Sequence, residues 1–312
     1  MTMEMPELHV GRGMGFGPLT VFPVWTGAAA PAGMVTGRAA RVDVAERADG
    51  PSVGELVVTN VGDRVALLVE GELLEGGWQH RALVHDVVLS PGVSMAAAVA
   101  CVEHGRWAGS SPLRRRARRA SASVRAALLA ALPGMQDDVW QRIGRYDAAL
   151  GASATGSYVD HLDRLAGPSL PGTASPLDFE DGVSGLMRWV RRLPLLPGQR
   201  GAIAGVAGQP SSLKLYPSKS ALASHAHETL TGLLFDAVAY GASPEPTPSR
   251  RARLSASRLD GIRAEVRPGG NAGAGTVLSL TTEHIAVGGV SLAGRWAHPT
   301  VLNRHHPLLE IA

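Results

Sequence analysis

Apolar positions from Leu8 to Trp107 fall in short, Val-rich runs: Leu19–Trp25, Arg38–Val44, Gly54–Asn60, Val65–Glu70, Arg81–Leu89 and Met95–Val102. Each run has strand length, and turn formers separate them, notably Asp49-Gly50, Val61-Gly62-Asp63 and Ser90-Pro91-Gly92. Regular spacing of this kind predicts a curled antiparallel sheet or sandwich.

The period then lengthens to that of a helix. Ser111 reads as a cap and Pro112 as the first helical residue. Leu113, Ala117, Ala120, Val124, Leu128 and Ala131 follow as one apolar stripe, closed by Pro133-Gly134. Val139, Ile143, Tyr146 and Leu150 repeat the spacing up to Gly151, and Tyr158–Ala166 and Phe179–Leu193 predict two more helices across a loop at 167–176. Gly201–Gly208 reads as a strand and Ser218–Tyr240 as a long helix. The prolines of Ser243–Pro248 exclude helix and ladder bonding, so this stretch reads as an extended linker. Arg253–Val266, Thr276–Thr281 and His284–Val290 read as returning strands. The expectation is one α+β domain over residues 1–312, with a β-rich part at 8–107, a helical part at 112–193 and an α/β part at 200–312. Its last strands rejoin the first sheet.

Composition sharpens this picture. With 45% apolar and 18% charged residues in 312, the chain is globular, and 4% aromatics leave the core to Ala, Val and Leu. A formal charge of +3 is too small to argue for a nucleic-acid partner. A lone cysteine excludes an internal disulfide and fits a reducing compartment. No stretch approaches the roughly 20 apolar residues of a membrane helix, and Met1–Pro6 lacks the regions of a secretory leader. The protein is expected to be soluble and cytoplasmic, with no membrane partner. Only Lys214 and Lys219 among 30 basic residues are lysines, so an isolated arginine carries little functional weight.

Chemistry concentrates between Glu70 and Trp107. The stretch Glu70-Gly-Glu72-Leu-Leu-Glu75-Gly-Gly-Trp78-Gln79-His80-Arg81 precedes Cys101-Val-Glu103-His104-Gly-Arg106-Trp107. Strand alternation puts Gln79 and Arg81 on one face, and Cys101 and Glu103 on one face. Pairing across the Ser90–Ser94 turn would bring Arg81 to Glu103, either as a structural ion pair or as a ligand-orienting one. Cys101 and Arg106 have the spacing of an anion-cradling loop next to a thiolate, although Glu103 would repel the anion. Arg114, Arg115, Arg116, Arg118, Arg119 and Arg125 fall on the polar side of the helix predicted from Pro112, as a solvated face or an RNA- or protein-contacting strip. Gly11–Gly17 precedes a strand instead of linking strand to helix, which excludes a dinucleotide fingerprint. The histidines form no metal set by sequence spacing: His225 and His227 diverge on a helix, and His305-His306 reads as exposed.

The segments Leu19–Pro23, Glu70–Arg81 and Val99–Trp107, with Gly201–Gly208, Leu215-Tyr216 and the helix to Tyr240, resemble one family. It is the ADP-ribosylglycohydrolase- and rhodanese/phosphatase-superfamily-associated protein domain. The resemblance covers nearly the whole chain, and Gln79, Arg81, Cys101, Glu103, Arg106 and Trp107 match its motif positions. It implies association with enzymes of ADP-ribose, sulfur and phosphate chemistry; no activity or cofactor comes with it.

Three functions are therefore expected to compete. The first is binding or processing of a small anionic ligand of nucleotide or ADP-ribose type. In it Gln79, Arg81, Arg106 and Trp107 contact the ligand and Glu103 acts as acid or base. The second is sulfurtransferase- or phosphatase-like chemistry on Cys101. The third is an interaction module presenting the arginine strip.

Overall fold

The computed structural model describes residues 2–130, 134–166 and 182–310. The loop at 167–176, Ala131, Pro133 and the first residues of the helix expected from Phe179 lie outside that set. Three β-sheets and six helices make up the described chain, an α+β fold built on antiparallel pairing.

Ten strands form the large sheet, in the order Thr2–Glu4, Arg263–Val266, Thr276–Thr281, Ile285–Leu292, Arg295–Asn303, Gln209–Leu215, Gly201–Val206, Leu19–Trp25 and His9–Val10, with Met14–Phe16 also on Leu19–Trp25. The C-terminal strands thus rejoin the first strands, as the sequence predicts, with Gly201–Val206 and Gln209–Leu215 as the bridge. A second sheet runs Arg114–Arg119, Glu72–Glu75, Arg81–Leu83, Ser94–Cys101, Glu55–Asn60 and Val42–Ala45. A small third sheet joins Val87–Leu89, Ala66–Leu68 and Val35–Thr36, the last pair parallel.

The central strands of the second sheet, Glu72–Glu75 and Arg81–Leu83, are buried on both faces. Leu73, Ala82 and Ala100 pack against Val124, Leu128, Ile143, Tyr146, Tyr158 and Phe235 of the helices. Leu74, Leu83 and Val99 pack on the other side with Leu68, Val87 and Leu89 of the third sheet. Burial on both faces removes the polar alternation that marks a half-exposed strand and leaves continuous apolar runs.

Several sequence expectations are corrected. The arginine run is a strand, not a helix: Arg114–Arg119 pairs antiparallel with Glu72–Glu75, setting Arg114 opposite Glu75 and Arg119 opposite Glu72. Cross-strand charge pairing outweighs the local helical pattern there. A bulge interrupts the pairing, with Ala117 at φ +55°, and the helix begins only at Ala122, as Ala122–Ala130. Arg253–Val266 divides into the helix Ser249–Ser257, entered through Pro248, and the strand Arg263–Val266. The run Arg81–Leu89 divides between two sheets at Val84–Asp86. Gln209–Leu215 and Arg295–Asn303 were not anticipated, since Pro210, Pro299 and their polar positions mask the strand pattern.

Candidate functional site

The motif residues gather at one end of the second sheet, where Arg81 stands opposite Cys101. The predicted Arg81–Glu103 pair does not form. The Arg81 guanidinium donates to the carbonyls of Val53 (3.1 Å) and Ser52 (3.3 Å), and burial lowers its pKa. Glu103 instead binds Arg106 (Nε at 2.8 Å), the amide of His80 (3.1 Å) and the hydroxyl of Thr155 (3.0 Å). Burial raises the Glu103 carboxyl, but Arg106 and His80 outweigh it and hold it below the usual range. The Gln79 amide donates to the Glu103 carbonyl at 3.4 Å, and Trp107 is 53% exposed.

The loop after Cys101 makes no anion cradle. The amides of His104 and Gly105 donate to the carbonyls of Gly156 (3.4 Å) and Thr155 (2.7 Å), and Arg106 is engaged by Glu103. Cys101 is fully buried, its thiol facing the Glu103 carbonyl at 3.1 Å, and burial pushes its pKa up. A reactive thiol needs access and a depressed pKa; this one has neither.

Ionic chemistry concentrates instead around Glu70-Gly71-Glu72. Gly71 turns at φ +74° and takes the Leu83 carbonyl through its amide, while a Cβ there would lie 2.7 Å from Cγ and Cδ of Arg125. The turn sends Glu70 inward. Its carboxylate binds Arg119 (3.0 Å), Arg125 (2.7 and 2.9 Å), Lys214 (2.5 Å) and Thr300 (3.2 Å), all buried. Burial works against the Glu70 charge, but Arg125, Lys214 and Arg119 hold the carboxyl well below the usual range. Lys214 responds oppositely: burial, then Arg119 and Arg125, drive its ammonium well below the usual lysine range despite Glu70. Asp86 extends this network, accepting the Glu70 amide at 2.7 Å and His298 Nδ1 at 3.0 Å.

Glu72 faces the other way, into a cavity of about 750 Å³. The strand Arg114–Arg119 forms one wall, the segment 37–43 another, and Ser224, His225 and Glu228 of the helix Lys219–Ala239 a third. The bulge at Ala117 lets Arg115, Arg116, Arg118 and Arg119 all line this cavity, which strict alternation forbids. One Glu72 oxygen binds Arg115 Nε at 2.6 Å, and Arg115 also clamps the carbonyls of Ala40 (2.7 Å) and Gly37 (3.3 Å). The second Glu72 oxygen and one oxygen of Glu228 are buried without a hydrogen-bond partner. Burial raises the Glu228 pKa, with Glu72 adding to the rise. His225 is neutral, because burial and then Arg119 push its pKa well down. Thr36 gives its proton to the Leu67 carbonyl (2.7 Å), so His225 Nε2, 2.6 Å from that hydroxyl, is the donor. Arg38, Arg41 and Arg114 line the cavity as exposed side chains with no ion-pair partner among the described residues.

None of Gln79, Arg81, Cys101, Glu103, Arg106 or Trp107 lines this cavity. The sequence pattern predicts the arginine strip on a helix, as a solvated face or an RNA- or protein-contacting strip, and points to no role for Glu72, His225 or Glu228. The spacing of His225 and Glu228, three apart on one helix face, was the available signal.

The chain matches no curated protein and no solved structure. No helix among the described residues is long and apolar enough to cross a membrane. Residues 7–302 match the model of the ARG and Rhodanese-Phosphatase-superfamily-associated Protein domain, and the chain belongs to that family.

Proposed function

We propose that the chain binds a small phosphorylated, hydroxyl-rich ligand of nucleotide or ADP-ribose type in the arginine-walled cavity. The observation that carries this reading is the juxtaposition of cationic and anionic groups in one hollow. Arginines that make no salt bridge among the described residues stand at Arg38, Arg41 and Arg114, and two buried carboxylate oxygens without a donor among those residues stand at Glu72 and Glu228. Guanidinium groups take phosphate oxygens in charge-assisted bonds, and free carboxylate oxygens take sugar hydroxyls. The volume of about 750 Å³ suits a small molecule. Three acids among the lining residues, Asp43, Glu72 and Glu228, count against RNA as the occupant.

Thermal-shift assays with AMP, ADP, ADP-ribose, ribose 5-phosphate and adenosine test it. Phosphorylated compounds are expected to raise the melting temperature and adenosine to leave it unchanged. Arg41→Ala and Arg114→Ala should each weaken calorimetric binding by about tenfold, the loss of one charged contact of roughly 1.4 kcal/mol. No shift with any compound, or unchanged binding in both variants, overturns the reading.

A further inference from the structure

A second group of donor side chains lies at the open end of the hairpin formed by Ile285–Leu292 and Arg295–Asn303, far in sequence from the arginine strand. The register there sets Ile285 opposite Asn303, so the residues just beyond each strand meet. His284 Nδ1 lies 2.9 Å from His305 Nε2, with ring centroids 5.0 Å apart. A carboxylate oxygen of Glu283 joins them, all three donor atoms lying within 4.8 Å of one another.

The backbone that carries these donors is fixed on both sides. Thr282 Oγ1 accepts the amides of His284 (3.3 Å) and Ile285 (3.2 Å), Asn303 Oδ1 accepts that of His305 (3.2 Å), and the Arg304 amide donates to the His284 carbonyl (2.9 Å). The donors are therefore presented by a hairpin, not by a free tail. Two imidazole nitrogens this close share one proton between two lone pairs, an arrangement that a metal ion can replace by accepting both.

We propose that Glu283, His284 and His305 form a binding site for a divalent transition-metal ion of zinc type. Two imidazoles and a carboxylate are a donor set that favours such ions over magnesium or calcium. Zinc–nitrogen bonds of about 2.0–2.1 Å at a tetrahedral angle put the two nitrogens about 3.4 Å apart. The exposed rings reach that separation by parting about 0.5 Å from the present 2.9 Å. Three protein donors leave a coordination position open. It borders a cavity of about 380 Å³ that His284 and His305 line together with Asn303, Arg251 and Arg258, which suits an anion or water as the fourth ligand.

The test is calorimetric titration of the untagged full chain with zinc chloride, with cobalt(II) titration followed by visible absorption. One tight equivalent and a cobalt ligand-field band are expected. The double substitution His284→Ala/His305→Ala should weaken that binding by about a hundredfold or more and abolish the band, and Glu283→Gln should weaken it by about tenfold. The three residues are exposed, so the variants are expected to melt with the parent in the absence of metal, which separates lost binding from lost fold. Zinc binding weaker than about millimolar, or an unchanged isotherm in the double variant, overturns the assignment. Neither result bears on the arginine-walled cavity.

Discussion

Glu70 and Glu72 are separated by a single glycine and have opposite surroundings. Glu70 is buried among Arg119, Arg125, Lys214 and Thr300, with both oxygens occupied. Glu72, at the wall of a cavity, gives one oxygen to Arg115 and keeps the other buried without a partner among the described residues. A saturated ionic hub holds elements together. A carboxylate with a free, buried oxygen is poised to receive a donor from elsewhere. Asp236 adds a third case. It is as buried as Glu70, but it accepts from the Tyr146 hydroxyl (2.5 Å) and the Ser123 amide (2.9 Å) and makes no salt bridge among the described residues, Arg142 acting on it only at longer range. Burial prevails there and pushes its carboxyl up to about 6.

The largest effect expected from this contrast is at Glu70. Glu70→Gln leaves buried cations without their counter-charge and should lower unfolding free energy by about 3–5 kcal/mol in urea titrations. Glu72→Gln should cost only about 1–2 kcal/mol, since one part-buried pair is lost. Equal losses at the two positions would make Glu72 structural and break the comparison.

Asp236 offers the next largest effect, read through pH. Its folded pKa of about 6 lies above the ordinary 3.8, so the native state binds the extra proton between those values. Stability contributed by the protonated form is present below about pH 4 and lost as pH rises through 6, by about 3 kcal/mol in total. The difference in unfolding free energy between the parent and Asp236→Asn should therefore shift against the parent by about 2–2.5 kcal/mol from pH 4 to pH 7. A flat difference would mean that Arg142, whose charge already opposes the rise, offsets burial fully and makes Asp236 resemble Glu70.

Gly71→Ala tests the turn that separates the two glutamates. Its Cβ meets the Arg125 side chain at 2.7 Å and its φ is +74°, so a loss of about 2–3 kcal/mol is expected. Chemical unfolding with and without the ligand panel distinguishes a local shift from collapse of the cavity wall. The smallest expected effect concerns Cys101. Iodoacetamide should leave the native thiol unmodified and alkylate it fully after denaturation, and Cys101→Ser should leave ligand binding unchanged. Rapid native labelling would show that the Cys101 end of the sheet opens to solvent.

Much of the fold was legible in the chain. Leu19–Trp25, Tyr158–Ala166 and Thr276–Thr281 have the bounds that their periodicity and flanking turns predict. So does the helix Lys219–Ala239, capped by Ser218, whose hydroxyl accepts the Ala221 amide at 3.1 Å. The failures have a common cause. Arg114–Arg119 carries a helical apolar spacing, and only the acids of Glu72–Glu75, a strand some 40 residues earlier, make it extended. Likewise the pairing of these two strands across the Ser90–Ser94 turn is legible, whereas the register that sets Arg81 opposite Cys101 instead of Glu103, and the guanidinium's carbonyl partners at Ser52 and Val53, are not.

The chain by itself determined strand and helix segments, turn positions, the family and the density of ionisable groups after Glu70, because each rests on neighbours a few residues apart. Tertiary structure decided which charges meet. Glu70 finds its partners 49, 55, 144 and 230 residues away, contacts that no local pattern encodes. Burial then fixed what each group does: the same carboxyl is an anchor among cations, an acid raised to about 6 among hydroxyls and amides, or a free acceptor at the wall of a cavity.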